Sequence, residues 1–427
     1  MPGNREFDYL IVGGGLAAAS AVDGILETDP DGSVLVLTEE AEPPYQRPPL
    51  SKEFLQYADV PRSLLYVKPD GWFDGQERVC LEVHQRVLVL DPSAMNVTTA
   101  RGNVFAAPRI LLATGGRARR LNAPGVDLPG VFTLRTVEDS EAIREASCAA
   151  GRAVFVGAGF IGMEVAASLT VHGVNSVVVE AAERVWPRIL PPELSAWMRE
   201  FFEARGVSFR LETCVERFAG APRLEEVVAG GEHIPCDFAV VGVGLRPCVS
   251  LAADAGLAVD DGVCVDAYGE TSHPDIYAAG DVARFPDPVF GGSARVEHWE
   301  HAREHGRSVG RNMAGSRERY ELLSHFFSRV FDLSIDALGR TGDVDLTVLR
   351  GTPGDGPCVA VCVIDDRVSG TVLLNASQEL ETARRLVRAT PRLADLGPDL
   401  DNEARSLGSL AELAEQVNSE NSGEGAR

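Results

Sequence analysis

The chain has 427 residues, of which 45% are hydrophobic, and carries a formal net charge of -23 at pH 7. This length predicts roughly two to four domains. The negative charge excludes nucleic acid, whose phosphates need Lys and Arg, and argues against an anionic membrane surface. No window reaches about 18 consecutive apolar residues, and the N-terminus enters the first strand at once. We therefore expect a soluble, cytoplasmic protein without a signal peptide.

The first predicted elements, over residues 7–38, are a strand, a glycine-rich turn, a helix and a second strand. The turn is Gly13-Gly14-Gly15-Leu16-Ala17-Ala18. Gly13 makes the tight turn, Gly15 lets backbone N–H groups approach a pyrophosphate, and Ala18 allows the helix to pack closely on the strand. Glu39 follows the second strand, where a carboxylate binds ribose hydroxyls. For this glutamate alone, a solvated strand end is the alternative.

Residues 79–112 alternate apolar runs with turn signals, which predicts a β meander inserted in the first domain. The segment closes with a buried strand, Arg109–Leu112, followed by Ala113-Thr114-Gly115-Gly116. At these glycines the backbone can approach a nucleotide closely.

A second glycine-rich turn, Gly157-Ala158-Gly159-Phe160-Ile161-Gly162, lies about one domain further along the chain. One such turn is weak evidence, but two, each between a strand and a helix, predict that two nucleotides are held at once. The acidic partner of this turn is Glu180, which would repel a 2′-phosphate and so favours NADH over NADPH. Arg184 lies near enough to weaken that preference, because NADP sites recruit arginine.

The second domain closes near Gly244, and the chain then returns to the first domain. Ile276–Asp281 is another strand that ends in a glycine and a carboxylate, and residues 298–313 predict a helix. Beyond residue 317 we expect a small α+β domain with strands near 344–349, 358–364 and 370–374 and a helix near 378–390. The last stretch, 418–425, lacks apolar content, which predicts that the tail is partly disordered.

The predicted fold class is therefore α/β, with two doubly wound Rossmann-type nucleotide-binding domains and a small C-terminal α+β domain. The first nucleotide domain takes residues 1–116 and 245–316, and the second takes 117–244. The C-terminal domain takes 317–400, and the tail takes 401–427.

Five runs of residues resemble a known family in both content and order. They are Pro44–Lys52, Ala113–Gly116, Gly157–Glu164, Ala278–Asp281 and Arg295–Trp299. Together they resemble the flavin-dependent NADH:ferredoxin reductases of oxygenase systems, the putidaredoxin reductase and dioxygenase reductase type. That group belongs to the pyridine nucleotide-disulfide oxidoreductases and is related to apoptosis-inducing factor. The resemblance is strong over residues 7–315 and looser beyond.

The resemblance implies that FAD is held in the first domain and NADH in the second. The residues it assigns to FAD are Gly13, Gly15, Ala18, Glu39, Arg47, Lys52, Val83, Ala113, Thr114, Gly115, Gly280, Asp281 and Trp299. Those assigned to NAD are Gly157, Gly159, Phe160, Ile161, Gly162, Glu180 and Gly244. For Arg47 alone a surface turn is the alternative, and for Trp299 alone an ordinary core aromatic.

Lys52 and Lys68 are the only lysines in the chain, against many arginines. A compact ammonium beside the flavin N5 atom would stabilise the anionic reduced flavin, a role that a planar guanidinium fits poorly. The resemblance assigns Lys52 and its partner Glu164 to catalysis, because a buried cation needs a counter-charge. The alternative is a solvated Lys52, with Glu164 interacting with its own helix dipole.

The eight cysteines are scattered, which indicates neither a metal site nor a disulfide framework. Flavin disulfide reductases place a reactive cysteine shortly after the first nucleotide unit, and residues 39–60 contain none. We therefore expect electrons to leave the flavin directly.

The sequence departs from the family in the C-terminal domain, where a Trp-Phe-Trp-Ser-Asp run is usual. Here the stretch is Ser324-His325-Phe326-Phe327-Ser328-Arg329, so both tryptophans are replaced and the acid becomes basic. This change puts the identity of the protein partner in doubt. Arg303, Arg307 and Arg311 recur on one predicted helix face and suggest a docking patch for an acidic ferredoxin; a solvated face with Glu300 and Glu304 is the alternative.

The expected function is electron transfer from NADH through FAD to a [2Fe–2S] ferredoxin that serves a P450 or a Rieske oxygenase. The alternative is a standalone or tailoring flavoenzyme that acts on a small molecule or on oxygen. A third possibility resembles apoptosis-inducing factor, in which redox state controls interactions. We expect no metal, no nucleic acid or membrane partner, and a monomer or a homodimer.

Overall fold

The structure is a computed structural model, and it describes residues 6–397, 400–402 and 404–424. Within these ranges the chain divides into two compact units. The first unit takes the described residues of 6–48, 60–117 and 245–324. The second unit takes 49–59, 118–244 and the described residues from 325 to 424.

The secondary structure is numbered in chain order. The α-helices are α1 (Leu16–Thr28), α2 (Glu53–Gln56), α3 (Val137–Cys148), α4 (Phe160–Val171), α5 (Pro192–Glu203), α6 (Ser250–Asp254), α7 (Trp299–Met313), α8 (Leu380–Ala389), α9 (Leu393–Leu396) and α10 (Leu407–Glu424). The strands up to residue 132 are β1 (Tyr9–Val12), β2 (Val34–Leu37), β3 (Val79–Glu82), β4 (Val87–Asp91), β5 (Asn96–Thr99), β6 (Val104–Ala106), β7 (Arg109–Leu112), β8 (Gly116–Ala118) and β9 (Val131–Phe132). The next strands are β10 (Arg152–Val156), β11 (Asn175–Val179), β12 (Val207–Arg210), β13 (Val215–Ala219), β14 (Glu226–Ala229), β15 (Glu232–Pro235), β16 (Phe238–Val241) and β17 (Leu245–Pro247). The others are β18 (Val259–Asp260), β19 (Gly262–Cys264), β20 (Ile276–Ala278), β21 (Ala283–Pro286), β22 (Ser293–Ala294), β23 (His325–Val330), β24 (Leu333–Gly339), β25 (Leu346–Arg350), β26 (Cys358–Ile364) and β27 (Arg367–Leu374).

The first unit is built on a parallel sheet in the order β20-β7-β1-β2-β3. The residues of β1, β2 and β20 are all buried, as expected for parallel strands covered on both faces. Strands β4, β5 and β6 form a separate antiparallel meander, which confirms the meander predicted within residues 79–112.

Helices α1 and α7 of the first unit lie in unusually close contact, because glycines stand where they meet. A Cβ atom added at Gly306 would lie 2.3 Å from the carbonyl oxygen of Ala17, and one at Gly310 would lie 2.2 Å from that of Ala21. A Cβ atom at Gly24 would lie 2.0 Å from the carbonyl oxygen of Arg307. Only glycine fits these three positions without moving a backbone.

The second unit contains another parallel sheet, in the order β12-β11-β10-β16-β9. The segment Pro49–Asp59, which the sequence placed in the first nucleotide domain, groups with this unit. Hydrogen bonds hold it there: the hydroxyl of Ser140 donates to the carbonyl of Leu50, and Arg144 Nη1 donates to that of Phe54.

The C-terminal part of the second unit is an antiparallel sheet in the order β23-β24-β27-β26-β25. The strands and the helix expected within residues 344–390 are present as β25, β26, β27 and α8, and β23 and β24 precede them. Part of the expected tail is instead helical, as α10. Its residues Leu407, Leu410, Ala411 and Ala414 are buried, so the first part of the expected tail packs through an apolar face. Residues 403 and 425–427 lie outside the described residues.

Candidate nucleotide-binding and redox sites

The first glycine-rich turn joins β1 to α1 in the first unit. Gly13 has a φ of +129°, and a Cβ atom there would lie 2.1 Å from the carbonyl oxygen of Ala113, so glycine is required. A Cβ atom at Gly15 would meet no heavy atom within 4 Å. Gly15 is the N-cap of α1, which has no side-chain cap and no acidic residue in its first turn. The backbone N–H groups at this helix end therefore suit a pyrophosphate.

Glu39 follows β2, as the sequence predicted, and is held by two arginines. Arg117 Nη2 donates to both carboxylate oxygens, at 3.1 and 2.9 Å, and Arg86 Nε lies 3.7 Å from Oε2. The charge of Glu39 raises the pKa of Arg117. The side chain of Glu39 remains 47% exposed, so the carboxylate is oriented and still open to a ribose hydroxyl.

Arg47 lies in a cluster with Glu40 and Tyr45. Its Nη2 atom is 2.7 Å from Glu40 Oε1, and its Nη1 atom donates to the hydroxyl of Tyr45 at 3.0 Å. Burial works against the charge of Arg47, but Tyr45 and Glu40 outweigh that effect and raise its pKa, with a contribution from Asp281. Two residues assigned to FAD, Arg47 and Asp281, are thus close enough to interact electrostatically.

Asp281 follows Gly280 directly after β20. Gly280 has a φ of +73°, and its N–H donates to Nδ1 of His305 at 3.3 Å. His305, on α7, therefore fixes the backbone beside Asp281, a role that no sequence motif indicated. Trp299 begins α7, and the guanidinium of Arg303 lies 4.9 Å from the centre of its ring.

Of the other residues assigned to FAD, Ala18 is fully buried in the first turn of α1, and the rest lie at the ends of neighbouring strands. Val83 follows β3, the strand beside β2. Thr114 and Gly115 follow β7. Both residues hold Cys248. The Thr114 hydroxyl donates to the carbonyl of Cys248 at 3.0 Å, and the N–H of Cys248 donates to the carbonyl of Gly115. The carboxyl edge of the sheet thus brings these residues together.

The second glycine-rich turn joins β10 to α4 in the second unit and repeats these features. Gly157 has a φ of +102°, and a Cβ atom at Gly162 would lie 1.9 Å from the carbonyl oxygen of Gly157. Gly159 is the N-cap of α4, again without a side-chain cap or an acid in the first turn. Phe160 and Ile161 open the helix. Gly244, which has a φ of +101°, accepts a hydrogen bond from the N–H of Arg119.

Glu180 follows β11 and is bonded to the turn itself. Its Oε2 atom accepts from the N–H of Ala158 at 2.5 Å, and its Oε1 atom accepts from the N–H of Ala182 at 2.8 Å. Arg184 is engaged elsewhere: Nη1 donates to the carbonyl of Leu190 at 2.7 Å, and Nη2 pairs with Asp343. Of these two charged side chains, Glu180 is therefore the one that is fixed at the turn.

Lys52 and Glu164 form a buried ion pair in the second unit. Lys52 Nζ lies 2.6 Å from Glu164 Oε2, and the two side chains are 14% and 7% exposed. Ser51 and Ser328 also donate hydroxyl hydrogen bonds to this carboxylate, the latter at 2.6 Å. The sequence did not assign either serine; Ser51 adjoins Lys52 in the Pro44–Lys52 run, whereas Ser328 comes from β23.

The divergent run forms β23. His325 is buried, and its Nε2 atom lies 2.9 Å from Asp336 Oδ1, while Phe326 stacks on Phe160 with ring centres 4.1 Å apart. Phe327 is 38% exposed. The aromatic character of the run is thus kept at Phe326 and Phe327.

All eight cysteines are free. Burial raises the pKa of Cys236 and of Cys362 to about 12, so these two thiols stay protonated and unreactive. Across the described ranges, no cluster of three or more His, Cys, Asp or Glu side chains could hold a metal ion. Nor does any helix in that part of the chain combine the length and apolarity needed to cross a membrane.

Known proteins are similar to this chain over most of its length. The family described as pyridine nucleotide-disulphide oxidoreductase matches residues 7–306, and the family described as reductase C-terminal matches residues 325–408. The ferredoxin–NAD(+) reductase component of the anthranilate 1,2-dioxygenase system of Burkholderia cepacia is 33% identical over 387 residues, which cover 89% of this chain and 94% of that protein.

Two solved structures have the same fold over nearly the whole chain. The ferredoxin reductase for the CYP199A2 system from Rhodopseudomonas palustris has a TM-score of 0.90 and 31% identity, and the match covers 95% of this chain and 100% of that one. The reductase in the covalent putidaredoxin reductase–putidaredoxin complex has a TM-score of 0.90 and 27% identity, with 96% and 100% covered.

The two glycine-rich turns and the strand-end acids define an α/β flavoprotein reductase that holds two nucleotides. The chain belongs to the pyridine nucleotide-disulphide oxidoreductase family. The cofactors of this family are FAD and NAD(H). The residues present fit them, because both helix N-termini are uncapped and a Cβ atom at Gly13 or at Gly162 would collide with the backbone that shapes each turn.

Proposed function

We propose that this protein is an NADH-dependent flavoprotein reductase that passes electrons to a [2Fe–2S] ferredoxin serving a P450 or a Rieske oxygenase. Bound FAD supplies the chemistry that joins two-electron oxidation of NADH to one-electron reduction of an iron–sulfur protein. The single observation that carries the proposal is the duplicated turn, with an uncapped helix N-terminus and a strand-end glutamate at each copy.

Each glycine-rich turn is assigned one of the two nucleotides. Residues 1–116 and 245–316 hold FAD, with Gly13, Gly15 and Ala18 at the pyrophosphate, Glu39 at a ribose, and Arg47 and Asp281 nearby. Residues 117–244 hold NADH, with Gly157, Gly159 and Gly162 at the pyrophosphate and Glu180 at the ribose. Residues 317–400 form the C-terminal domain. The eight free cysteines suit a reducing cytoplasm.

Lys52 and Glu164 carry the proposed catalytic role. The ammonium of Lys52 favours the negative charge that the flavin gains on reduction, and Glu164 keeps that buried cation compensated. Lys52→Ala is expected to slow flavin reduction by NADH far more than it weakens FAD retention, as measured by anaerobic stopped-flow and by FAD release. Unchanged reduction would exclude the role.

The chain offers a matched control for this substitution. Lys68 is the only other lysine; it pairs with Asp23, and its Nζ atom lies 5.0 Å from the centre of the Trp72 ring. Lys68→Ala removes the same cation from another paired site. It should leave the rate of flavin reduction within about twofold of the wild type, since Lys68 pairs with Asp23 and not with Glu164.

The proposed docking patch for the ferredoxin is Arg303, Arg307 and Arg311 on α7. Arg303 pairs with Glu304 at 2.7 Å, and Arg307 pairs with Glu27 at 2.5 Å. Arg311 lies 3.6 Å from Glu27 and 3.5 Å from Glu318. An acidic partner must therefore compete with carboxylates already in place, which limits the patch to steering the encounter.

A charge reversal tests the patch. Arg303→Glu/Arg307→Glu should lower the rate of reduction of an acidic [2Fe–2S] ferredoxin at low salt while leaving flavin reduction by NADH unchanged. The control is Arg199→Glu/Arg385→Glu, which reverses two equally exposed, carboxylate-paired arginines of the second unit. Equal losses in both variants would remove the patch from the docking surface. Fast NADH oxidation without any ferredoxin would instead favour a standalone flavoenzyme.

A further inference from the structure

Glu164 accepts three hydrogen bonds or ion-pair contacts inside the second unit. Oε2 is 2.6 Å from Lys52 Nζ and also accepts from the hydroxyl of Ser51. Among the described residues, Oε1 has one partner, the hydroxyl of Ser328 at 2.6 Å. Glu164 and Ser328 are 6% and 4% exposed. Each oxygen of this buried carboxylate is thus held by a different part of the chain.

The partners on the two sides of the carboxylate differ in how they are fixed. Ser51 is tied to α4, because the hydroxyl of Ser168 donates to its carbonyl at 2.7 Å, and Gln56 Nε2 in turn donates to Ser168 at 2.9 Å. Ser328 lies on β23, which is paired along its length with β24. The C-terminal domain therefore supplies the hydrogen bond at Oε1, whereas the segment next to α4 supplies the contacts at Oε2.

We propose that Ser328 is a positioning residue: by holding Oε1 of Glu164, it keeps Oε2 turned toward Lys52 and so fixes the Lys52 ammonium. This proposal rests on the proposed function of Lys52. The physical reason is that a buried carboxylate oxygen without a donor is costly, and the carboxylate reorients to recover one. Without the Ser328 hydroxyl, Lys52 faces a carboxylate that is no longer held at both oxygens.

A first experiment observes Lys52 directly. Because the chain has only two lysines, labelling the holoprotein with [ε-¹³C,ε-¹⁵N]lysine gives one side-chain signal for Lys52 and one for Lys68. Ser328→Ala should shift the Lys52 signal and leave that of Lys68 in place, and Ser328→Thr, which keeps the hydroxyl, should restore it. An unmoved Lys52 signal in Ser328→Ala overturns the proposal.

The matched control is Ser369→Ala. Ser369 is a buried serine of the same domain, 5% exposed, whose hydroxyl donates to the backbone carbonyls of Arg340 and Cys362. This variant removes the same atoms and should move neither lysine signal. A shift of the Lys52 signal equal to that of Ser328→Ala would mean that general loosening of the domain explains the effect, and would also overturn the proposal.

A double-mutant cycle then tests whether Ser328 affects flavin reduction through Glu164. Ser328→Ala alone should slow flavin reduction by NADH about tenfold, the loss expected for one hydrogen bond to a charged group. In a Glu164→Gln background the same substitution should change the rate less than twofold, because the carboxylate it acts on is gone. Equal effects in both backgrounds overturn the proposal. If Lys52→Ala leaves the rate unchanged, the proposed function of Lys52 fails, and the Lys52 signal still decides whether Ser328 positions it.

Discussion

Two buried histidines on α7 predict that mild acid destabilises the protein. His301 and His305 pack against Phe285 and Tyr320, with the His301 and His305 ring centres 4.8 and 5.2 Å from that of Phe285. His301 Nδ1 lies 2.8 Å from the Tyr320 hydroxyl, and His305 Nδ1 accepts from the N–H of Gly280. The Nε2 atoms of both histidines are buried without a hydrogen-bond partner among the described residues. Neither ring can gain a proton without placing a charge in this cluster.

The direction and the size of the effect follow from the pKa values. Burial lowers the pKa of His305 to about 3, and burial together with His305 and His298 lowers that of His301 well below its usual value. Below about pH 6.5 the unfolded chain binds protons at these residues and the folded protein does not, so the free energy of unfolding falls as the pH falls. Between pH 7.5 and 5.0 the loss is about 2 kcal/mol for His305, and His301 changes the stability in the same direction.

The assay is urea unfolding of the wild type and of His305→Gln at pH 7.5 and 5.0, followed by far-UV circular dichroism. Glutamine can still accept the Gly280 hydrogen bond and does not titrate. The variant should lose about 2 kcal/mol less than the wild type between the two pH values. Carboxylates whose pKa is lowered, such as Asp8 and Asp237, contribute equally to both proteins and cancel in the comparison. An identical pH dependence in the two proteins would refute the reasoning.

Three other substitutions give separate tests. Gly162→Ala places a Cβ atom 1.9 Å from the Gly157 carbonyl oxygen and should raise the Kd for NADH about tenfold in a titration. The control is Gly75→Ala, whose Cβ atom would lie 3.6 Å from the nearest atom, the Trp72 carbonyl oxygen; this variant should leave the Kd unchanged. Glu180→Gln keeps an acceptor for Ala158 but removes the charge, so the ratio of kcat/KM for NADPH to that for NADH should rise about tenfold; an unchanged ratio would contradict the role of the charge. Arg350→Met removes a buried guanidinium that donates to the carbonyls of Leu400 and Arg405, and should destabilise the protein by about 2–4 kcal/mol in urea unfolding; a smaller loss would show that water replaces it.

The nucleotide turns could be predicted from the sequence because their requirements are local. Gly13 and Gly157 have positive φ angles, and a Cβ atom at position 162 would collide with the backbone. Each requirement selects glycine, so a short sequence motif is enough to predict the turn. Glu39 and Glu180 could be predicted in the same way, because each follows the second strand of its nucleotide unit. Lys52 and Glu164 could not be paired in this way, since they are far apart in the chain and came together only through the family resemblance.

What the sequence missed depends on contacts between distant segments. Ser328 reaches Glu164 from a strand of another domain, and nothing near it in the sequence marks that contact. The segment Pro49–Asp59 joins the second unit through hydrogen bonds to side chains of α3 and α4, whereas its position in the chain suggested the first. Residues 407–414 carry Leu and Ala at helical spacing and bury one face of α10, a pattern that the prediction of a tail over 401–427 did not use.

His325, at a position where the family resemblance led us to expect a tryptophan, is held in a polar pair. A buried imidazole needs a partner, and Asp336 supplies it at 2.9 Å from the neighbouring strand β24. In the register of this pair Phe327 faces Asp336 and His325 faces Leu338, so His325 and Asp336 are diagonal neighbours on one face of the sheet. Ser377 donates a hydrogen bond to the other oxygen of Asp336 at 2.6 Å. Both oxygens of the Asp336 carboxylate therefore have a hydrogen-bond partner. His325 therefore forms a polar pair between β23 and β24, while the adjacent Phe326 stacks on Phe160.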